Sequence, residues 1–160
     1  MRVGLGFDAH RLVVDRKLVL GGVKIDHPCG LEGHSDADAL VHAVIDALLG
    51  AAGLGDIGMR FPDTDPKFKG ISSLDLLADV AAEIAARGFK ISNMDATLFA
   101  ERPKIGPFRE QMAQNLATIT GIERHRVNIK ATTTEGLGFI GRREGLAAAA
   151  VVLLEETSNI

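Results

Sequence analysis

The sequence predicts an α+β fold, with strands and helices mixed in one domain of 160 residues. The first ten residues alternate between two faces, as a strand does, and later segments repeat apolar residues with the period of a helix. Near its end the chain has a nearly continuous apolar run, which is typical of a buried strand. An apolar content of 46% is ordinary for a domain with one core.

Composition excludes several classes of function. The net charge is −3 and aromatic residues make up 4%, with no Trp or Tyr, so we expect no nucleic-acid partner. The longest apolar run, residues 146–154, is too short to cross a bilayer. The start lacks the apolar core of a secretion signal, and Cys29 is the only cysteine. We therefore expect a soluble, cytoplasmic protein without a membrane partner.

The first elements are predicted as a strand and a hairpin. On the strand of residues 2–10, the apolar side chains share one face, and Asp8 and His10 share the other. Two short apolar runs flank Gly21-Gly22, which predicts a hairpin over residues 17–25.

A helix and a long loop follow. Ser35 and Asp36 have N-cap side chains, and the apolar period after them predicts a helix over residues 37–52 that ends at Gly53. Residues 54–70 are rich in Gly, Asp and Pro and show no period. We predict a loop there, and loops of this length are often functional.

The second half predicts two helices and three strands. Ser72 and Asp75 form a capping-box pattern before a helix that reaches Arg87 and ends at Gly88. Alternation, periodicity and glycine stops place the remaining elements: a strand at 89–100, a helix at 108–120 and strands at 126–134 and 145–155. The last strand is nearly all apolar, so we expect it to be buried.

Asp8, His10 and His42 are candidate metal ligands. A carboxylate and two imidazoles leave one position of a tetrahedral zinc ion free, as catalytic zinc sites do. The alternative is that these side chains serve only packing and hydrogen bonding. Asp38 and Asp46 share the helix face of His42 and could orient its ring, although a solvated acidic face is the simpler interpretation.

Two segments have the chemistry of phosphate binding. His34 and Ser35 precede a helix whose first amides could hold a phosphate, while Ser35 could equally be a simple N-cap. Residues 130–135, Lys-Ala-Thr-Thr-Thr-Glu, run into a glycine-rich loop. Their hydroxyls and amides suit phosphate oxygens, and the carboxylate of Glu135 suits Mg²⁺. A Thr-rich strand alone would be only structural.

The loop at residues 61–70 is a third polar segment. It carries Asp63, Asp65, Lys67 and Lys69, and it could close over a polar substrate. The alternative is a surface loop shaped by Pro and Asp turns.

Several motifs occur in an order that resembles a known family. They are Gly6-Phe-Asp-Ala-His10, His34-Ser-Asp-Ala-Asp38, Gly55-Asp-Ile-Gly58, Phe61-Pro-Asp-Thr-Asp-Pro66 and Lys130-Ala-Thr-Thr-Thr-Glu135-Gly-Leu-Gly-Phe139. Over essentially the whole chain, the sequence resembles the 2-C-methyl-D-erythritol 2,4-cyclodiphosphate synthase family of non-mevalonate isoprenoid biosynthesis. The resemblance implies an α/β sandwich with a mixed four-stranded sheet and helices on one face. It also implies a homotrimer whose sheets face the threefold axis, with active sites between subunits.

The resemblance further implies a phosphorus-oxygen lyase reaction. The 2-phosphate of 4-diphosphocytidyl-2-C-methyl-D-erythritol 2-phosphate attacks the β-phosphorus of the CDP group, which releases CMP. By matching motif, Asp8, His10 and His42 hold one Zn²⁺ per active site, and Glu135 holds Mg²⁺ or Mn²⁺. His34 and Thr133 resemble the transition-state stabilisers. A metal-dependent phosphohydrolase, or a non-catalytic binder of nucleotide or isoprenoid diphosphate, stays open as an alternative.

The remaining substrate contacts are also implied by the resemblance. The ribose or erythritol hydroxyls are assigned to Asp56, Ile57 and Gly58, and the erythritol end to Phe61, Pro62, Asp63, Thr64 and Asp65. The cytosine pocket is assigned to the backbone of Ala100, Glu101, Arg102, Pro103, Lys104, Ile105 and Gly106. The α-phosphate is assigned to Thr132 and Thr133, and the chemistry of the residues adds Ser35 and Thr134 as substrate contacts.

Phe139 and Arg142 match positions that line a central channel of the trimer, where family members bind isoprenoid diphosphates. The sequence departs from the family pattern at two places. Gly106 stands where some relatives carry a larger apolar residue. Arg143, expected near the threefold axis, stands where a small or acidic residue is commoner.

Overall fold

The computed structural model describes residues 1–157. Seven strands are present: β1 (Arg2–Val14), β2 (Leu18–Leu20), β3 (Val23–Ile25), β4 (Cys29–Leu31), β5 (Phe89–Phe99), β6 (Val127–Thr132) and β7 (Gly145–Glu156). The α-helices are α1 (Ala39–Ala52), α2 (Ile57–Arg60), α3 (Ser73–Ala86), α4 (Arg109–Thr120) and α5 (Gly138–Gly141). Short 3-10 helices cover Pro66–Phe68, Gly106–Phe108 and Arg124–Arg126. None of these helices is long and apolar enough to span a membrane.

The main sheet is mixed and has the strand order β4-β1-β7-β5-β6. β7 is antiparallel to both β1 and β5, and β5 is parallel to β6. The four long strands are the predicted ones and confirm the mixed sheet. A fifth strand, β4, was not predicted. It pairs only with the far end of β1, at Leu12–Val14, and three residues are too few to show a period.

The helices cover one face of this sheet, and α1 lies directly on β1. A Cβ added at Gly4 would lie 1.9 Å from the carbonyl oxygen of Ala47, and one added at Gly6 would lie 1.9 Å from that of Ala43. Only glycine fits at such an approach. Because side chains alternate along a strand, Asp8 and His10 continue the row of Gly4 and Gly6 and also face α1.

The simplest interpretation of the alternation in β1 is that its apolar face is buried, and the structure shows the opposite. The apolar side chains of Val3, Leu5 and Phe7 are 69%, 71% and 58% exposed, while Gly4 and Gly6 are buried. The polar and glycine face therefore packs on the helix, and the apolar face is open. On β7, the expectation of a fully buried strand is likewise wrong at Val151, which is exposed on the sheet.

Helix α1 begins later than predicted. Asp38 is its N-cap, because its carboxylate accepts a hydrogen bond from the amide of Val41. Ala37 has a φ of 56°, so it cannot be part of a right-handed helix. Ser35 and Asp36 are therefore not the cap residues. The predicted end at Gly53 is confirmed, with a φ of 73°.

The other elements largely follow the predicted pattern. Helix α3 lies where expected, but Ser72 forms no side-chain cap bond, so the predicted capping box is not formed. Strand β5 has an irregularity between Ile91 and Asn93, which lets both Ile91 and Met94 face the core. Residues 54–70 are not purely a loop, since they contain α2 and one 3-10 helix.

Candidate active site

Asp8, His10 and His42 meet where β1 passes beneath the first half of α1. The Asp8 Oδ2 atom lies 2.7 Å from Nε2 of His10 and 3.1 Å from Nδ1 of His42. The two imidazole nitrogens are 3.2 Å apart. Strand alternation places the first two side chains on the face toward α1, and the glycine contacts bring the helix close enough for the third.

Hydrogen-bond partners fix the tautomers of both imidazoles. Nδ1 of His10 lies 2.6 Å from the carbonyl oxygen of Glu32, which can only accept, so Nδ1 carries the proton. Nε2 of His42 lies 2.9 Å from the Ser73 hydroxyl, which itself donates to the carboxylate of Asp36. Nε2 of His42 therefore donates to Ser73. The lone pairs of Nε2 on His10 and Nδ1 on His42 both point toward Asp8.

Lone pairs that converge in this way are typical of a cation-binding site. A carboxylate oxygen and two imidazole lone pairs lie within 4.8 Å of one another. While both imidazoles are neutral, their outer nitrogens carry the protons and no hydrogen lies between the converging atoms, so the cluster favours binding either a cation or an additional proton. Neutral His and carboxylate are ligands that zinc accepts, and each His has the outer hydrogen-bond partner typical of metal ligands. The residues fit a metal ion, and within residues 1–157 they form the one such cluster of three.

The electrostatics of this cluster show how strongly its members interact. Burial by itself would raise the pKa of Asp8, but hydrogen bonds from His10 and His42 and their charge hold it far below its usual range. Burial would lower the pKa of His10, but the hydrogen bond and charge of Asp8 raise it above its ordinary value. Without a cation, His10 thus binds a proton more readily than a free imidazole does.

Asp38 and Asp46 have roles that neither sequence interpretation predicted. Asp38 is fully buried, and its carboxylate accepts from the amides of Gly21 and Gly22 as well as capping α1. Burial raises the pKa of Asp38 to about 6, although the hydrogen bonds from these amides act to lower it. Asp46 accepts from the amide of Ile57 at 2.7 Å. Neither side chain bonds the His42 ring, and neither belongs to a solvated acidic face.

The cluster opens into a cavity of about 430 Å³. Predicted site residues on its wall, besides the three ligands, are His34, Ser35, Ile57, Gly58, Phe61, Pro62 and Asp63. Sequence analysis did not find Gly33, Phe68 and Leu76, which complete the lining. The rings of Phe61 and Phe68 pack edge to face at 5.3 Å, which gives one wall an apolar surface.

Several predicted residues near this cavity have structural partners. Asp56 caps α2 through the amide of Met59, and Asp65 accepts from the amide of Lys67. The Asp65 carbonyl oxygen lies 3.2 Å from Nε2 of His34. Neither Asp56, Thr64 nor Asp65 lines the cavity. Asp38 caps α1 and the Ser35 hydroxyl accepts from the amide of Ala37, so Ser35 is not the N-cap, and its contact with a phosphate stays a prediction.

A second cavity of about 570 Å³ contains the predicted cytosine pocket. It is lined by all seven residues assigned to that pocket, from Ala100 to Gly106, together with Pro107, Ala131, Thr132, Thr133 and Arg143. Arg143 therefore lies beside this pocket in the single chain. Phe139 and Arg142 line neither cavity, and Arg142 pairs with Glu144 at 2.8 Å.

The turn after β6 carries Glu135, two residues beyond Thr133, which lines the second cavity. Glu135 is exposed, has a φ of 53°, and accepts from the Thr133 hydroxyl at 3.2 Å. One carboxylate beside a hydroxyl suits Mg²⁺, which takes few protein ligands and relies on substrate phosphates. The amide of Thr134 donates instead to Glu101, and its hydroxyl donates to the carbonyl oxygen of Leu137, so in this chain both groups already have acceptors.

The two cavities share no lining residue within one chain. The metal cluster, His34 and residues 57–63 belong to the first cavity, whereas residues 100–106, Thr132 and Thr133 belong to the second. The predicted site residues therefore form two separate half-sites. Asp36 was predicted only as an N-cap and Ser73 was not singled out, and their contact with His42 joins segments that are distant in the sequence.

The chain was compared with known proteins. A model of the YgbB family matches residues 1–155. A 2-C-methyl-D-erythritol 2,4-cyclodiphosphate synthase from Desulfatibacillum aliphaticivorans is 63% identical over 155 residues, which are 97% of this chain and 100% of that protein.

Solved structures give the same result. The bifunctional IspDF protein of Campylobacter jejuni has a TM-score of 0.93 and 46% identity over 97% of this chain, which spans 42% of that longer protein. The IspF protein of Plasmodium falciparum, solved as a CDP complex, has a TM-score of 0.86 and 32% identity over 98% of this chain and 97% of that one. The chain belongs to the YgbB family, that of the 2-C-methyl-D-erythritol 2,4-cyclodiphosphate synthases.

Proposed function

We propose that this chain cyclises 4-diphosphocytidyl-2-C-methyl-D-erythritol 2-phosphate and releases CMP. An oxygen of the 2-phosphate forms a bond to the β-phosphorus, and the bond from that phosphorus to the bridging oxygen breaks. The bridging oxygen leaves with CMP. The observation that carries the proposal is the converging ligand set of Asp8, His10 and His42 on the wall of a cavity, in a chain 63% identical to such a synthase.

Two cations fit the ligand sets. Asp8, His10 and His42 would hold Zn²⁺, and Glu135 would hold Mg²⁺ or Mn²⁺ together with the substrate's phosphates. Both ions would neutralise phosphate charge and hold the reacting groups in line, which is most of what phosphoryl transfer requires. The same charge would favour the displacement of CMP.

The protein side chains bind and orient the substrate. His34 and Thr133 stabilise charge on the phosphates, from the first and second cavity respectively. Residues 57–63 hold the erythritol part against Phe61, and residues 100–106 hold cytosine through backbone groups. Two of the similar solved structures contain CDP, which supports a cytidine nucleotide as ligand.

A homotrimer with active sites between subunits accounts for two features of the single chain. First, each chain has two half-sites, so the second cavity of one subunit can complete the first cavity of its neighbour. Second, the open sheet face at Val3, Leu5 and Phe7 is a large apolar surface that monomers rarely expose. Association through this face would bury it around the threefold axis.

An isoprenoid diphosphate in the central channel is a further part of the proposal. Phe139 is an exposed aromatic side chain near the start of β7. Arg142, a cation, follows three residues later in the sequence. Arg143 lines the second cavity of the single chain, so its effect on a channel ligand stays a prediction. The cytoplasmic location expected from the lone cysteine stays a prediction.

The experiment that tests this function is phosphorus NMR of the purified protein with the diphosphocytidyl substrate and Mg²⁺. We expect equimolar CMP and a cyclic diphosphate. Free phosphate without ring closure would instead support the phosphohydrolase, and no turnover would support a non-catalytic binder. His42→Ala should lose bound zinc and turnover and keep its assembly, and CMP release at the wild-type rate by this variant would contradict the assignment.

A further inference from the structure

The carboxylate of Glu101 makes contacts that backbone recognition of cytosine does not require. Glu101 follows β5 and reaches the turn after β6, on the neighbouring parallel strand. Its Oε1 atom accepts from the amide of Thr134 at 2.9 Å and from the amide of Gly136 at 3.3 Å. The Thr134 hydroxyl lies 3.3 Å away, and its single proton goes to the carbonyl oxygen of Leu137 at 2.7 Å. One oxygen thus receives two amide donors from a single turn.

The turn that Glu101 holds is the one that carries Glu135. Glu135 and Gly136 have φ values of 53° and 78°, and the amide of Leu137 bonds the carbonyl of Thr134 at 2.9 Å. Two central residues with positive φ are the pattern of a type I′ turn, which suits Gly136 but not Glu135. The conformation that aims Glu135 therefore needs support from outside the turn.

Glu101 supplies that support from both sides. Its donors, Thr134 and Gly136, are the residues immediately before and after Glu135. Successive amides in such a turn form a concavity that binds anions, and here the anion is a side chain of the same protein. The pKa of Glu101 is held below its ordinary value by these amides, with the charge of Arg143 nearby, so the carboxylate is ionised at neutral pH.

We propose that Glu101 is a positioning residue: its carboxylate fixes the 134–136 turn so that Glu135 presents its own carboxylate to the cation on the nucleotide phosphates. The inference rests on the proposed function for the role of Glu135. It extends that function because it links the loop at the base pocket to the loop at the phosphates. Binding of the cytidine part and binding of the cation are then coupled through one side chain.

Two variants separate this role from a general loss of structure. Glu101→Ala removes both amide contacts. Glu101→Gln keeps an acceptor oxygen in the same place, since Oε1 alone makes the contacts. The matched control is Glu110→Ala, which removes an exposed glutamate of α4 that pairs with Arg124, away from both cavities.

The test is calorimetric titration of CDP into the zinc-loaded protein, with and without Mg²⁺. For Glu101→Ala we expect the gain in CDP affinity from Mg²⁺ to fall by about tenfold or more. For Glu101→Gln this gain should stay within about threefold of the wild-type value, and for Glu110→Ala it should equal the wild-type value. Zinc content should not change in any of the three variants. In the NMR spectrum of Glu101→Ala, the amides of Thr134 and Gly136 should exchange with solvent faster than in Glu101→Gln.

The outcomes are distinguishable. If Mg²⁺ strengthens CDP binding equally in wild type and Glu101→Ala, or if the two amides exchange equally, Glu101 has no positioning role. If Glu101→Gln loses as much as Glu101→Ala, the charge acts directly on the ligand and the positioning role is wrong. If wild type itself binds no CDP, the proposed function fails, and the role given to Glu135 fails with it.

Discussion

The hydroxyl of Ser73 decides which nitrogen of His42 faces the metal cluster. Ser73 is buried, donates to Asp36, and accepts from Nε2 of His42. Without this acceptor, the Ser35 hydroxyl at 3.2 Å is the remaining partner of Nε2. The imidazole would lose part of its orientation, although no ligand atom is removed.

Ser73→Ala should therefore weaken zinc binding by about 10- to 100-fold, the usual effect of losing an outer partner of a metal ligand. Competition with a chromophoric chelator measures the affinity. The neighbouring Ser72 makes no side-chain cap bond, so Ser72→Ala is a control that should bind zinc as wild type does. Equal zinc affinity in both variants would show that Ser35 alone is enough to orient His42.

Zinc affinity should also depend on pH through His10. A metal binds the neutral imidazole, and Asp8 raises the pKa of His10 in the metal-free protein above 6.5. Protons thus compete with zinc as the pH falls through this raised pKa, starting at a higher pH than for an ordinary histidine. Below it, the affinity should fall by about tenfold per pH unit. Titrations between pH 8 and pH 5.5 measure this, and a constant affinity over that range would contradict it.

At the scale of elements, the contact between β1 and α1 fixes the distance between the metal ligands. Gly6 of β1 lies under the backbone of α1. Gly50 lies in α1 itself, and a Cβ added there would have no atom within 4 Å. A methyl group at Gly6 would collide with α1 and force the helix to move. A methyl group at Gly50 meets no neighbour and would stabilise the helical conformation.

Gly6→Ala should destabilise the protein by about 1–3 kcal/mol or more, because the new Cβ would lie 1.9 Å from the carbonyl oxygen of Ala43. It should also weaken zinc binding, since α1 carries His42. Gly50→Ala should stabilise by about 0.5–1 kcal/mol through helix propensity. Urea unfolding at equal protein concentration measures both. A neutral effect of Gly6→Ala would mean that the helix can move without cost.

The elements show why some boundaries were predictable. The ends of α1 and α4 follow from Gly53 and Gly121, whose φ values of 73° and 70° few other residues adopt. The N-cap of α1 did not follow, because Ser35, Asp36 and Asp38 are all good caps and only the positive φ of Ala37 selects among them. Strand β4 and helix α2 are too short to show a period.

The site was predictable to a similar degree. Asp8, His10 and His42 came from residue type and alternation, and the cytosine loop came from the resemblance. Asp36, Ser73 and the side-chain role of Glu101 depend on tertiary contacts between distant segments, which no local pattern encodes. The exposure of the apolar face of β1 was hidden for a related reason, because glycines on the other face give no hydrophobic signal.

For the whole molecule, the open sheet face and the two half-sites lead to the same test. If subunits associate through the face at Val3, Leu5 and Phe7, a charge placed there is buried without a partner on assembly. Leu5→Asp should therefore shift the protein from trimer toward monomer at micromolar concentration and should lower turnover with it. Analytical ultracentrifugation measures the mass.

The control for this variant puts the same charge on the helical side. Ala78 is exposed on α3, and Ala78→Asp should leave the mass unchanged. A trimer in both variants would contradict the assembly proposed here. Dissociation by both would point to a general loss of stability, which the urea unfolding curves would also show.

The alternation of β1 has a consequence for how such chains can change over time. The glycines that admit the helix and the residues that hold the metal occupy every second position of the same strand, from Gly4 to His10. Inserting or deleting a single residue between Gly6 and Asp8 would turn Asp8 and His10 to the outer side of the sheet. Inserting or deleting two residues would keep Asp8 and His10 on the same face of the sheet but would displace them by about 7 Å along the strand, away from His42. This segment should therefore tolerate substitution far better than any change of length, and its length is the feature to examine in distant relatives.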